Sequence, residues 1–418
     1  MSNKDNIIIS LDVGSSNVRA AAAQINSEGD VQILGVAAVK SRGVRRGSVI
    51  DIEEVSKSIS EAIGKLESLI DNRVHDIILG IGGTEIKLQK AKGVVAIGRA
   101  NGTVEEEDIQ RVLEAARNAS MPINSEIVHT IAKSYKLDDQ DDIRNPLGLK
   151  GIRLEADVLM IEDSSTHLGN LTKSVGHYVN IDEIAVNTVA ASAVVLDKGQ
   201  KELGVAIVDI GGGTTSITIY EEGELSYISV LPIGAGHITN DIAIGLRTSI
   251  DVAEKIKLEY GSAFPGEINK RDIIELSEID IKEEGVVLRY HVAEIIEARL
   301  REIFEMINNE LKKIGKAGLL PAGIVLIGGG AELPGVVSFA KDILGLPAKT
   351  GYPTEVTGVL DKIDSPSFST VVGLLVSSYQ NACKNKSHNK YTHFFPTNKI
   401  DIKKISGKLK KWTDNFLP

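Results

Sequence analysis

Two aspartates 197 residues apart each close an apolar run and open a turn built mostly of glycine and hydroxyl residues. The first turn reads Asp12-Val13-Gly14-Ser15-Ser16-Asn17, the second Asp209-Ile210-Gly211-Gly212-Gly213-Thr214-Thr215. Glycine lets a backbone approach a bulky anion without a side chain in the way, and successive N–H groups in such turns form anion-binding nests. Ser15, Ser16, Thr214 and Thr215 add hydroxyl donors. Asp12 and Asp209, at strand ends, are placed to orient a Mg²⁺ through water, because that ion keeps several waters when bound. The implied chemistry is recognition of a nucleoside triphosphate with its magnesium. A third run, Gly328-Gly329-Gly330, follows an apolar strand and precedes a helix starting near Leu333, a place suited to packing against a nucleoside. Taken singly, each run is equally a glycine-rich β-turn. None is a Walker A loop or a dinucleotide fingerprint, since the lysine and the G-x-G-x-x-G spacing are absent. The recurrence of the pattern is what distinguishes it.

The elements around these turns recur as well. Residues 7–11 form an apolar strand before Asp12, and residues 18–25 and 31–39 read as two more strands with a polar turn between them. Residues 204–208, 216–220 and 225–231 repeat that order around Asp209. Residues 51–71 carry helical spacing, with Val55, Ile59, Ile63, Leu66 and Ile70 on one face. The duplication predicts an α/β fold of two similar lobes with a cleft between them. Two segments interrupt the pattern. Residues 84–164 hold a short strand, a helix around 105–118 and an acidic loop at 138–142; residues 238–318 are mostly helical and end in a charged helix over 289–314.

A chain of 418 residues exceeds one ordinary core. The net charge of −10 argues against a nucleic-acid partner, and the single cysteine, Cys383, excludes a disulfide within the chain. There is no apolar run of 18 residues and no signal-peptide pattern at the start, which predicts a cytoplasmic protein. The charge is unevenly spread: residues 402–418 hold five lysines and one aspartate, net +4, leaving −14 for the other 401 residues. In this tail Ile402, Ile405, Leu409, Trp412 and Phe416 are spaced 3, 4, 3 and 4, while Lys403, Lys404, Lys408, Lys410 and Lys411 lie off the stripe. At about 100° per residue the apolar set spans an arc of about 80°. A Trp- and Phe-bearing stripe flanked by lysines predicts a helix lying in an anionic membrane interface. The same spacing also suits a helix docked on the body or a coiled-coil seam, but the tail spans only about two heptads. It also follows a polar stretch, 380–399, that reads as a flexible linker.

On these motifs the chain resembles the actin, hexokinase and heat-shock chaperone superfamily, and within it the FtsA family. Stretches similar to that family alone are Ile81-Gly82-Gly83-Thr84-Glu85-Ile86, residues 145–154 from Asn145-Pro146-Leu147-Gly148 to Leu154, and residues 236–243 from Gly236-His237 to Ala243. The resemblance covers residues 6–379. It implies an actin-like two-lobe fold with duplicated ribonuclease-H-like lobes. Lobe 1 would take 1–83 and 165–199, with an FtsA-type inserted subdomain over 84–164. Lobe 2 would take 200–237 and 319–379, with a helical subdomain over 238–318; the linker and an amphipathic helix over 400–418 would follow. It places Glu254 and Lys257 near the adenosine, adds Gly234 and Gly236 to the nucleotide set, and implies a helical subdomain that receives the C-terminal peptide of the tubulin-like protein FtsZ, with Arg299 as a contact. It implies a cell-division protein that polymerises with itself on the inner face of the cell membrane, with other division proteins as partners. Other readings within the superfamily are a PilM-like pilus-assembly scaffold and a small-molecule kinase. The loop between lobes, Asn187 to Ser192, has no Asp or Glu to serve as a general base, so hydrolysis is expected to be slow.

Overall fold

The chain enters through an antiparallel meander of β1 (Ile7–Val13), β2 (Asn17–Ile25) and β3 (Val31–Lys40), whose alternating and fully apolar runs bury both faces. A hairpin, β4 (Val44–Arg45) and β5 (Ser48–Val49), leads to α1 (Ile52–Ile70). Asp51 caps this helix by accepting from the Glu54 N–H, and Asp71 ends it in the left-handed conformation. Strand β6 (Asp76–Ile81) then pairs parallel with β1. These elements belong to a computed structural model describing residues 7–26, 30–98, 101–120 and 123–386. The expected membrane helix over 400–418 lies outside the described residues.

The interruption after β6 is a compact unit with its own core: β7 (Lys87–Ala96), α2 (Glu106–Ala119), β8 (Ser125–Leu137), β9 (Gln140–Ile143) and β10 (Arg153–Ser164). Its sheet runs β7-β10-β8-β9, with α2 packed on it through Ile109, Val112, Leu113 and Ala116. Gly93 admits that helix, because a Cβ there would overlap the Val112 carbonyl. The chain returns through α3 (Ser165–Val175), β11 (Asn180–Val186), α4 (Asn187–Val195) and α5 (Lys198–Leu203).

The second meander is β12 (Val205–Ile210), β13 (Thr215–Glu221) and β14 (Glu224–Leu231). A mostly helical segment follows: α6 (Ala235–Leu246), α7 (Ile250–Tyr260), β15 (Ile273–Glu275), α8 (Leu276–Ile279), β16 (Val286–Leu288) and the long α9 (Arg289–Lys313). Val292, Ile296, Leu300, Ile303 and Ile307 of α9 are buried at helical spacing. Then come β17 (Ile324–Ile327), α10 (Val336–Leu344), β18 (Ala348–Thr350), β19 (Val356–Gly358) and α11 (Ser369–Lys386).

The two principal sheets share one plan. In order β11-β6-β1-β2-β3-β19 and β14-β13-β12-β17-β18, an antiparallel meander has parallel strands added beside its first member. Asp12 and Asp209 are the penultimate residues of the equivalent strands β1 and β12.

Two expectations are corrected. Residues 356–379 do not stay with lobe 2: β19 pairs parallel with β3 of the first sheet, and α11 packs on α4, β1, β2 and β6. Val371, Val372, Leu375 and Val376 place its apolar side in the first lobe's core. The linker expected from residue 380 does not begin there, because α11 continues to Lys386.

Candidate functional site: the cleft between the lobes

Each phosphate-type turn folds by a local rule. In the first, the Gly14 N–H donates to the Asn17 carbonyl at 3.1 Å; in the second, the Gly211 N–H donates to the Thr214 carbonyl at 2.9 Å. The same four-residue closure thus joins the first and second strands of both meanders. The turns face each other across one cleft lined by Asp12, Gly14, Ser15, Ser16 and Asn17 from one lobe, and by Asp209, Gly211, Gly212, Gly213 and Thr214 from the other. A Cβ on Gly213 would stand 2.7 Å from Ser15 Oγ, and one on Gly212 would overlap the Ser16 side chain. Glycine is required where the lobes come this close.

The other expected residues divide. Gly236, Glu254, Lys257, Gly328, Gly329 and Gly330 line the same cleft. Lys257 is buried, and its Nζ donates to Glu254 Oε2 at 2.6 Å and to Thr239 Oγ1 at 2.9 Å. Gly328, with φ of +81°, packs so tightly behind Asp209 that a Cβ would overlap that carboxylate. Two residues do not reach the cleft surface. Thr215 is fully buried and its hydroxyl donates to the Ile233 carbonyl at 2.8 Å, so it braces the turn from behind. Gly234 packs on the Gly211 carbonyl and sets the start of α6, whose Ala235 and Gly236 N–H groups donate to Gly211 and Gly212 carbonyls at 2.8 Å.

Arg19, Gly47, Glu332, Ser367 and Thr370 also line the cleft and were not expected there, and Asn187 of the loop between lobes lines it with them. Arg19 pairs across the strands with Asp12 and lies over Phe368, 5.7 Å from the ring centroid. It is the single charge in the apolar run Val18 to Ala23, a signal that was readable. Asn187, considered only for its lack of a carboxylate, donates from Nδ2 to Asp12 Oδ1 at 3.0 Å.

Burial pushes the Asp12 carboxyl above its ordinary range, opposed by the Arg19 charge and the Asn187 hydrogen bond. Burial also raises Asp209, and the facing Asp12 charge adds to it, to about 7 against the pull of Arg19. Two buried carboxyls on facing turns, with the charge of Asp12 raising Asp209, suit a divalent cation shared between them. Among the described residues no third His, Cys, Asp or Glu joins them, so the ion's remaining ligands would be water and phosphate oxygen. The Asn187 Oδ1 and Arg19 Nε atoms are buried without a partner, which marks polar positions left for a ligand.

The tip of the β4–β5 hairpin closes one side. Gly47 donates its N–H to Ser15 Oγ at 2.9 Å, and its carbonyl meets His167 Nε2 at 2.9 Å. His167 Nδ1 lies 2.6 Å from buried Asp163. Burial alone would lower the His167 pKa; Asp163, with the Gly47 carbonyl and Glu85, outweighs it and leaves the pKa above the ordinary 6.5. A raised histidine stabilises the fold most below the unfolded value, and that contribution fades as pH rises through the folded value. The melting-temperature gap between wild type and His167→Gln should therefore narrow as pH rises above 6.5, measured by calorimetry in matched buffers.

Arg299 does not present a free charge. Its Nε and Nη2 grip Asp241 at 2.6 and 2.9 Å, and Nη1 holds Glu302. To meet a partner's carboxylate, Arg299 would have to exchange this bidentate internal pair for it.

A two-lobed body with duplicated meanders, each delivering a glycine turn and an aspartate to one cleft, defines an actin-like protein. Solved structures agree on the fold. The chain is similar to a PilM-PilN type IV pilus biogenesis complex (TM-score 0.64, 15% identity, 89% of this chain and 98% of that one). It is also similar to MreB5 of Spiroplasma citri bound to ADP (TM-score 0.52, 17% identity, 92% and 99%). In sequence, the family model "Cell division protein FtsA" matches residues 206–373, and "SHS2 domain inserted in FTSA" matches residues 83–162. Curated FtsA proteins of Pseudomonas aeruginosa and Bacillus subtilis are 36% and 37% identical over 375 and 384 residues, covering 90% and 92% of this chain and 89% and 85% of theirs. That of Borreliella burgdorferi is 34% identical over 409 residues, 97% of this chain and 99% of its own. The chain belongs to the FtsA family of cell division proteins.

Proposed function

We propose that the chain binds Mg²⁺-ATP in the cleft, assembles with itself, and tethers the FtsZ ring to the inner face of the cytoplasmic membrane through its C-terminal amphipathic helix. The observation that carries the nucleotide part is the convergence of Asp12, Asp209 and their two glycine turns on one cleft. Backbone N–H groups and the hydroxyls of Ser15, Ser16 and Thr214 hold the phosphates. Asp12 and Asp209 orient the cation through water. Glu254 and Lys257 on α7 and the Gly328–Gly330 turn flank the nucleoside. Bound magnesium would neutralise phosphate charge and relieve the repulsion between the two carboxyls. The MreB5 relatives in the same fold are described as bound to ADP and to AMPPNP, which supports the same ligand class here.

The residue beside Asp12 where a base would act is Asn187, an amide with no proton affinity at neutral pH. ATP therefore acts chiefly as a ligand that favours the closed, assembling conformation. The division of labour follows the subdomains: lobe cores 7–83 with 165–199 and 356–379, and 205–237 with 319–355, the inserted unit 84–164, and the helical unit 238–318 as the seat for the FtsZ peptide. Among the described residues no helix is long and apolar enough to cross a membrane. The basic amphipathic tail supplies attachment instead, and assembly strengthens it by joining many weak anchors.

Sedimentation with anionic vesicles, with and without Mg²⁺-ATP, tests this reading. Full-length protein should pellet more with ATP, and a version ending at Lys399 should remain in the supernatant under both conditions. Equal pelleting of the two versions would overturn the tether.

A further inference from the structure

The inserted subdomain reaches the cleft by way of a buried histidine. His129 lies on β8 and is 2% exposed. Strand β11 is the edge of the first sheet, so an N–H pointing away from β6 needs a partner outside that sheet. The last residue of β11, Val186, donates its N–H to His129 Nε2 at 3.0 Å. Burial lowers the His129 pKa to about 3, so the ring is neutral: Nε2 accepts, and the ring proton sits on Nδ1.

The next residue is Asn187, the first of α4. Its side chain runs past Gly80 of β6 and Gly82 just beyond that strand's end, ahead of the insertion. A Cβ on Gly80 would overlap the Asn187 amide oxygen, and one on Gly82 would stand 3.1 Å from Nδ2. Packed there, Nδ2 donates to Asp12 Oδ1, while Oδ1 is buried without a partner. A continuous path thus runs from β8 of the insertion through His129, the Val186 N–H and the Asn187 amide to the Asp12 carboxylate. Two hydrogen bonds and one peptide unit span it.

We propose that His129 is a positioning residue for the nucleotide site: its acceptor nitrogen holds the β11–α4 corner, which sets the grip of Asn187 on Asp12, so the seating of the inserted subdomain and the affinity for Mg²⁺-nucleotide are coupled. This rests on the nucleotide reading above. The coupling is reciprocal: a ligand that orders Asp12 tightens the seat of the insertion, and a contact that shifts β8 loosens the ligand. The stretch needs no moving part larger than one corner between a strand and a helix.

The test uses the full chain and a fluorescent Mg²⁺-ATP analogue. His129→Leu keeps the bulk but removes the acceptor, and should weaken binding about tenfold. His129→Gln, whose Oε1 can stand where Nε2 does, should recover most of that loss. In an Asn187→Ala background His129→Leu should change affinity less than about twofold, because its route to Asp12 is already cut. Wild-type-like binding by folded His129→Leu, or an equal loss in both backgrounds, would overturn the proposal alone. Failure of the wild type to bind the analogue would instead remove the nucleotide reading. If His129→Leu does not fold, wild-type protein labelled with ¹⁵N in histidine decides, with His129→Gln identifying the resonance. Saturating Mg²⁺-ATP should shift the His129 Nε2 signal, and an unmoved signal contradicts the coupling.

Discussion

Gly212→Ala leaves the chain folded and weakens its binding of Mg²⁺-ATP about a hundredfold, the loss expected when two charge-assisted hydrogen bonds to phosphate are broken. The new methyl group would fall on the Ser16 side chain of the opposite lobe, only 2.9 Å from its Cβ. Rotating the hydroxyl clears Oγ but not Cβ, so the two turns must separate. The turn's own fold is untouched: Gly211 still closes on Thr214, and β12 and β13 keep their register. Melting temperature should stay near the wild-type value while affinity falls. Gly64→Ala on α1, where an added Cβ meets nothing within 4 Å, controls for the substitution itself. Replacing Ser16 by glycine in the Gly212→Ala chain removes the obstructing Cβ and should recover part of the loss. Undiminished affinity in Gly212→Ala, measured by titration calorimetry, would mean that the ligand does not bridge the two turns.

Trp412→Glu should release the protein from anionic vesicles and leave nucleotide affinity unchanged. Five apolar side chains buried in the interface contribute at most about 1.5–3 kcal/mol each. Each lysine adds about 1 kcal/mol beside an anionic leaflet. Ordering the tail as a helix opposes this by about 1 kcal/mol per residue. The net for one tail is small, so exchanging its largest apolar group for a charge tips it to release. The effect should be greatest without ATP, where single tails act alone, and smaller where assembly joins them. Co-sedimentation across a vesicle concentration series reads it, and an unchanged binding curve would sink the anchor.

What was legible in the sequence was whatever is written locally. A strand, an aspartate and a glycine turn occupy about a dozen consecutive residues, and their repetition revealed two lobes and the position of Asp12 and Asp209. Helix α1 was readable from its apolar spacing and its flanking aspartates. What was not legible depends on distant partners. Nothing in residues 356–358 says that three extended residues join β3, more than 300 positions away, and not β18. Gly47 looks like any turn glycine until it meets Ser15 and His167. Asn187 was judged by the carboxylate it lacks, because its value comes from Asp12, 175 positions earlier. Thr214 closes the turn while Thr215 is the first residue of β13, where its hydroxyl turns inward to Ile233, away from the cleft. Arg299 looked like an exposed charge because its partner, Asp241, lies on another helix 58 positions away.

The central claim is that the cleft holds a nucleotide whose cation is shared between Asp12 and Asp209. Titration calorimetry of ATP into the full-length protein, in excess Mg²⁺ and again in excess chelator, tests it most directly. One site per chain in magnesium, with affinity falling at least about tenfold in chelator and in Asp209→Ala, is the predicted result. Absence of binding, or binding indifferent both to magnesium and to the loss of that carboxylate, would contradict it.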